Sequence, residues 1–379
     1  MRIKTFEVVD LLDRPGTIRA SFHSDLNILT GKNGAGKTSL LKLLWYVMSG
    51  NIIHALNEVP FSKFNLVTDS YECTVYRLSY NTCRVEFTTN NKTWVFEDGQ
   101  SDDDEDFTNA EDLANPRLIK RGSSVFFPTF RRIEGGFTLT PNRNRRNHTG
   151  LFSFGPSRVK SDIEDALTAL SKKLTNGTHT FVSSISTADI VGLLLTRFAD
   201  LSGLYNDIQQ KTSEEIISTI KEFKSDKEDV QEIDTANIVI DDIRQKIESM
   251  ESDREDIMAP MEAVRSLVER LFKHTGINIG TRLSFGDAAN SVTSDALSAG
   301  EKQMLSFICY NAFNQNSVLI IDEPELSLHV DWQRQLFPML LAQQSSNQFI
   351  IATHSPFIYS KYPDKEVLID LDRGDSGGI

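Results

Sequence analysis

Cysteine is scarce in this sequence: Cys73, Cys83 and Cys309 are the only three in 379 residues. So few exclude a disulfide framework and suit reduced thiols in a cytosolic protein. Cys73 and Cys83 lie close together, but no second pair exists to complete a zinc site. No stretch of about 18 or more apolar residues occurs, so no transmembrane helix and no membrane partner are expected. The opening M-R-I-K-T-F-E-V-V-D lacks the apolar run and small-residue cleavage site of a signal peptide. Positive charge is in deficit, with a formal net charge of −13. That balance opposes non-specific binding to nucleic acid or anionic membrane, so any such contact needs a local basic patch. The length allows one large domain or two small ones, in the cytoplasm.

Against these absences stands a dense motif near the N-terminus. Leu26, Ile28 and Leu29 form a short β-prone run, and Gly31 to Thr38 then read G-K-N-G-A-G-K-T. Leu40, Leu41, Leu43, Leu44 and Val47 follow at helical spacing. Strand, glycine loop and helix form the context a phosphate-binding loop requires. Glycines let the backbone turn tightly and bring its N–H groups close to phosphate oxygens. The helix N-terminus adds partial positive charge at the same place. Lys32, Asn33, Gly34, Ala35, Gly36, Lys37, Thr38 and Ser39 are therefore the expected nucleotide-binding residues. Lys37 would reach the β- and γ-phosphates, and the Thr38 hydroxyl would ligate Mg2+.

A second group lies near the C-terminus. Val318 to Ile321 are consecutive apolar residues, as expected of a parallel strand buried on both faces. The run ends in Asp322 and Glu323, at a strand C-terminus where α/β folds place ligands. Asp322 is expected to hold Mg2+, and Glu323 to activate a water molecule. A second run, Phe349 to Ala352, delivers His354 to the same sheet edge. Between these groups and the first motif, residues 297–303 read L-S-A-G-E-K-Q. Ser298 and Glu301 fit an N-cap and its partner three residues on, and Met304, Leu305, Phe307, Ile308 and Phe313 supply an apolar stripe for the helix behind them.

Taken together, these four motifs, in this order, resemble those of the ABC-type ATPases of the soluble SMC/RecF/OLD group. The resemblance implies an α/β P-loop head that binds ATP and Mg2+ and hydrolyses ATP, with Glu323 and His354 as catalytic residues. It also implies that Ser298, Gly300 and Glu301 do not serve their own chain's nucleotide. They would cap ATP bound to a second copy, in a head-to-tail dimer or a higher homo-oligomer. The segment F-F-P-T-F-R-R-I-E-G-G, residues 126–136, and the compact insert look similar to ATPases of anti-phage systems, such as the AriA-like subunits of PARIS and the PtuA-like subunits of Septu. In that setting the chain acts as a sensor or scaffold, a nearby gene supplies an effector such as a nuclease, and a phage protein or DNA is the trigger. No nuclease domain is expected after the last expected strand, so a partner would have to supply that activity. The alternative is a RecF- or SMC-like DNA-repair clamp. A transporter cassette fits poorly, because about 260 residues separate the glycine loop from the L-S-A-G-E-K-Q turn.

Two positions depart from the family pattern. His329 and Asp331 fall where transporters carry an Asp after the catalytic carboxylates. The usual Gln after the first lobe has no clear counterpart; the segment at 126–136 is the candidate for that niche, where Arg131 or Arg132 would do a different job, contacting phosphate, or else lie on the surface. Residues 66–97 alternate apolar and polar and are expected to form an antiparallel meander attached to the P-loop sheet. Acidic residues crowd 98–112, and Arg131, Arg132, Arg143, Arg145, Arg146 and His148 form a basic stretch that suits phosphates or a protein partner. From about 161 to 274 the pattern is helical, as in an antiparallel hairpin or short coiled coil. The expected organisation is therefore an N-terminal ATPase lobe at 1–155, a helical insert at 156–276 and a C-terminal ATPase lobe at 277–379.

Overall fold

The computed structural model describes residues 1–100, 107–129, 132–133, 162–185, 187–225, 232–272 and 298–369. In chain order the strands and helices begin with β1 (Ile3–Val9), β2 (Thr17–Ser21), β3 (Leu26–Thr30), α1 (Lys37–Met48) and α2 (Ile52–Glu58). Next come β4 (Lys63–Thr68), β5 (Glu72–Arg77), β6 (Cys83–Thr89), β7 (Lys92–Glu97), β8 (Gly99–Gln100), β9 (Phe107–Thr108) and α3 (Ala110–Ile119). The middle of the chain holds β10 (Ser124–Phe127), β11 (Arg132–Ile133), α4 (Asp162–Leu174), β12 (His179–Phe181), β13 (Ser184–Ile185), α5 (Thr187–Ser225) and α6 (Glu232–Phe272). The last part holds α7 (Ala299–Phe313), β14 (Val318–Asp322), α8 (Val330–Ala342), β15 (Gln348–Ala352), α9 (Pro356–Tyr359) and β16 (Glu366–Leu368).

Two compact units result, one of Met1–Ser186 with Asp295–Ile379 and the other of Thr187–Ser294. The first unit holds a six-stranded sheet in the order β12-β10-β14-β15-β3-β16, parallel throughout. Its central strands are mainly apolar because both faces are covered: β14 and β15 are buried at every residue, with polar Asp322 and Gln348 at their ends. β15 lies between β3, which leads into the glycine loop, and β14, which ends in the carboxylates. That order brings the two motifs to the same end of the sheet.

The meander does not extend this sheet. Strands β4 to β7 join β1 and β2 in a separate antiparallel sheet, ordered β2-β1-β4-β5-β6-β7. Alternation along β4 and β6 gives each one dry face, and one core cluster takes residues from both sheets and from α1. Helix α1 is apolar nearly all round, with Leu40, Leu41 and Leu43 to Met48 all buried, as a helix enclosed on every side must be. Trp45 packs its ring on Phe126 at 5.6 Å and on Phe181 at 5.3 Å. Each such leucine contributes about 1.5–3 kcal/mol by burial, so the loop ahead of α1 starts from a rigid support. The buried Gln348 side chain joins the sheets with two bonds to Ile3, accepting from its N–H at 2.7 Å and donating to its carbonyl at 2.8 Å. Cys73, Cys83 and Cys309 are buried free thiols, and burial raises Cys73 and Cys309 to about 12.

The second unit pairs α5, 39 residues long, with α6, 41 residues long. Lys246 Nζ donates to Thr219 Oγ1 and Arg254 lies over the Tyr205 ring, a register that makes the two helices antiparallel. At 1.5 Å per residue the pair is about 60 Å long. The expected insert, 156–276, begins earlier than this unit does. His179–Phe181 extend the parallel sheet next to β10, and α4 packs beside them, so residues 162–185 belong to the head. A three-residue strand carries too little pattern to interrupt a helical reading. The basic residues Arg143, Arg145, Arg146 and His148 and the acidic residues 101–106 lie outside the described residues. Among the described residues no helix is long and apolar enough to cross a membrane.

Candidate functional site

The glycine loop folds as its residues require. Gly31, Gly34 and Gly36 have φ of 147°, 75° and 91°, values that L side chains rarely adopt. A side chain at Gly31 would also strike the Ile369 carbonyl. Gly36 is the N-cap of α1 and offers no side chain, so the first-turn N–H groups of that helix are left for a ligand. Lys37 turns its ammonium back over the loop and donates to the carbonyls of Gly31 at 2.9 Å and Lys32 at 3.2 Å. Burial lowers its proton affinity, while Glu323, Asp322 and Glu325 oppose that effect. Arg14 braces the loop from outside, its Nη1 donating to the Gly34 carbonyl at 2.9 Å.

Across the sheet edge, Asp322 is fully buried at the end of β14. Its Oδ1 accepts from Thr38 Oγ1 at 3.2 Å, and its Oδ2 accepts from Thr129 Oγ1. Glu323 follows in the left-handed region, with φ of 47°, held there by its N–H bond to the Ala352 carbonyl at 2.8 Å. Burial raises its carboxyl above the ordinary range, and the nearby charges of Asp322 and Glu325 add to the effect against His354 and Lys37. Glu325 Oε1 accepts the backbone N–H groups of His354 at 2.7 Å and Ser355 at 3.1 Å, tying the turn after β14 to the turn after β15. Leu12, Asn33, Gly34, Gly36, Lys37, Thr38, Ser39, Glu323 and His354 line a cavity of about 490 Å³.

The S-A-G-E-K-Q residues, Ser298 to Gln303, do not line that cavity. Ser298 caps α7 in a capping box: the Glu301 N–H donates to Ser298 Oγ at 3.3 Å and the Ser298 N–H to Glu301 Oε2 at 2.7 Å. Ser298, Gly300 and Glu301 are not among the residues lining the cavity. Gly300 has its own local reason, since a Cβ there would stand 2.5 Å from the Ser327 carbonyl. Buried Gln303 donates from Nε2 to the Pro324 carbonyl at 2.8 Å, which links α7 to the turn that carries Glu323 and Glu325. His329 caps α8 by accepting from the Asp331 N–H, a structural role for a position that departs from the family pattern.

Four residues of this region carry no sequence signal: Leu12, Arg14, Thr129 and Glu325. Leu12 and Arg14 come from an ordinary-looking turn between β1 and β2. Thr129, from the segment read as the niche of the missing Gln, stands beside Asp322. Arg131 lies outside the described residues, and Arg132 opens the short strand β11. Glu325 is concealed in an acidic run.

The donor set suits a nucleotide with its metal. A loop of left-handed glycines, a bare helix N-terminus and a lysine fit a chain of phosphates. The oxygens of Thr38 and Asp322, adjacent and hard, fit Mg2+.

A family model described as "AAA domain, putative AbiEii toxin, Type IV TA system" matches residues 26–360. The Escherichia coli protein described as "Retron Ec83 probable ATPase" is 40% identical over 73 residues, which are 16% of this chain and 14% of that protein. This chain therefore matches only a small part of that relative's length. Solved structures that superpose include the Smc head domain from Pyrococcus furiosus bound to the C-terminal domain of ScpA, at a TM-score of 0.37 and 11% identity, covering 95% of this chain and 91% of that one. The SMC head domain from Thermotoga maritima superposes at 0.35 and 13% identity, covering 95% and 92%. Both likenesses are distant. The family match runs from the strand that feeds the glycine loop to beyond His354, and the chain belongs to this family of AAA-domain ATPases.

Proposed function

We propose that this chain binds ATP with Mg2+ and hydrolyses it in pockets shared between two head-to-tail copies, as the ATPase subunit of a bacterial anti-phage system. The observation that carries the reading is one cavity lined by Lys37, Thr38, Glu323 and His354, with Asp322 bonded to Thr38 beneath it. The exposed Ser298 turn, absent from that lining, supports a second copy as its client. The defence setting rests on the family description and on the retron relative. An effector encoded nearby, such as a nuclease, and a phage-derived trigger complete the reading, and a subunit resembling those of PARIS or Septu systems fits it.

In this mechanism the phosphates lie on the N–H groups at the start of α1. Lys37 exchanges its bonds to the Gly31 and Lys32 carbonyls for phosphate oxygens. Thr38 and Asp322 would hold Mg2+, which when bound would offset phosphate charge. Glu323 accepts a proton from the attacking water as the water oxygen bonds to the γ-phosphorus and the bond to ADP breaks. Its raised proton affinity suits that task. His354 donates a hydrogen bond at the same end of the cavity, and Glu325 fixes the turn that presents it. Ser298 and Gly300 of the twin approach the γ-phosphate last, so hydrolysis waits for dimer closure.

The test is a mass measurement on the full chain carrying Glu323→Gln, with and without ATP and Mg2+. A nucleotide-dependent dimer with turnover at least about 100-fold below wild type is expected, since a general base contributes roughly 10²–10⁴-fold. A variant that stays monomeric with ATP, or turns over at the wild-type rate, overturns the reading.

A further inference from the structure

Asp322 is held by two threonines that come from different parts of the chain. Thr38 belongs to the helix behind the glycine loop. Thr129 comes from the far side, two residues past the end of β10. The parallel register sets Phe127 beside Ile321, so the next residues of the two strands run out together and Thr129 arrives level with the carboxylates. The aspartate has no solvent exposure, and each oxygen has its own hydroxyl donor.

Thr129 is also close, along the chain, to a second structure. Three residues on, β11 opens and pairs in parallel with β13, Arg132 beside Ser184 and Ile133 beside Ile185. Both strands pack against α7, the helix capped by Ser298. β13 ends at Ile185, and α5 begins at Thr187. The strand pair therefore touches the helix of the exposed turn and directly precedes the long helical pair. One hydroxyl joins it to the carboxylate expected to receive the cation.

From this arrangement we propose that Thr129 is a positioning residue for the Mg2+ site, and that it transmits the occupancy of that site to the β11–β13 strand pair. The inference rests on the reading that Thr38 and Asp322 hold the cation. When Asp322 Oδ1 and Thr38 Oγ1 both turn to a metal ion, the bond between them is given up. The Thr129 bond to Oδ2 remains and sets the plane of the carboxylate. Outer partners of this kind change metal affinity by about 10–100-fold when removed. A change in the carboxylate then reaches Thr129, and β11, which opens three residues later in the chain, is pinned to β13. The chemistry needs only a hydroxyl, so serine should replace threonine and valine should not.

The experiment titrates Mg2+ into the full-length chain with a fluorescent ATP analogue and follows amide exchange over residues 184–200. Wild type should show a Mg2+ midpoint and Mg2+-dependent protection at Ser184 and Ile185. Thr129→Val should shift the midpoint upward by about 10–100-fold, lose that protection, and keep its Mg2+-free nucleotide affinity, which shows that the chain is folded. Thr129→Ser should stay within about threefold of wild type, the hydroxyl being retained. An unshifted midpoint in Thr129→Val, or protection that persists in it, overturns this proposal alone. A wild-type chain whose nucleotide binding has no Mg2+ dependence overturns the ATP and Mg2+ reading and this proposal with it.

Discussion

The sharpest prediction separates the two duties that Ser298 can perform. In its own chain the serine caps α7 through both bonds of a capping box. In the proposed dimer its hydroxyl meets the twin's γ-phosphate. Ser298→Ala removes both, at a cap cost of about 1 kcal/mol, or about 2–4 °C in Tm for a unit of this size. Ser298→Asp keeps the cap, because Asp and Ser cap almost equally well, and a carboxylate at a helix N-terminus is favourable. In the shared pocket, however, that carboxylate faces phosphate. At about 4 Å and an effective dielectric constant of about 20, two like charges repel by about 4 kcal/mol, roughly 10³-fold in rate. The assay is steady-state ATP turnover alongside a thermal melt. Ser298→Asp should melt within about 1 °C of wild type and lose about three orders of magnitude in turnover. Wild-type turnover in a well-folded Ser298→Asp chain would refute the shared pocket and leave the turn as a helix cap.

The other expectations concern single sites. Lys37→Ala removes the cation that bridges the loop carbonyls and should abolish ATP binding, read by a fluorescent nucleotide. Glu325→Gln keeps an acceptor for the His354 and Ser355 N–H groups and should retain turnover within about tenfold, whereas Glu325→Ala takes that acceptor from His354 and leaves Ser355 only its 3.0 Å bond to Thr353 Oγ1, and should lower kcat more than KM. His179 is buried against Ser124, its Nδ1 and the Ser124 Oγ 2.8 Å apart, and burial lowers its pKa from 6.5 to about 4. Above pH 6.5 it is neutral both folded and unfolded. As pH falls from 6.5 toward 4 only the unfolded chain gains the proton, so stability declines, by up to about 3 kcal/mol at about 1.4 kcal/mol per pH unit. Denaturant melts of wild type and His179→Gln across that range test it: the wild-type loss should exceed the variant's, and equal slopes would refute the assignment.

Local chemistry made much of this protein legible in its sequence. The glycine loop needs left-handed backbone, and only glycine takes it without strain, so Gly31, Gly34 and Gly36 announce their own geometry. A strand buried on both faces must be apolar throughout, so 318–321 and 349–352 announce theirs, with the carboxylates and His354 at their ends. The Ser298 and Glu301 cap is likewise a three-residue matter. Long-range packing decided the rest. Alternation at 66–97 shows that strands have one dry face but not which surface covers it. The answer, a separate sheet sharing a core with α1, depends on residues far away in the chain. Three residues at 179–181 join the sheet because β10 offers an open edge there, which no local pattern encodes. Thr129, Arg14 and Glu325 are ordinary residues in ordinary segments. They matter because parallel register and loop closure bring them to Asp322, Gly34 and His354, and contacts between residues 20 to about 200 positions apart are set by the whole fold.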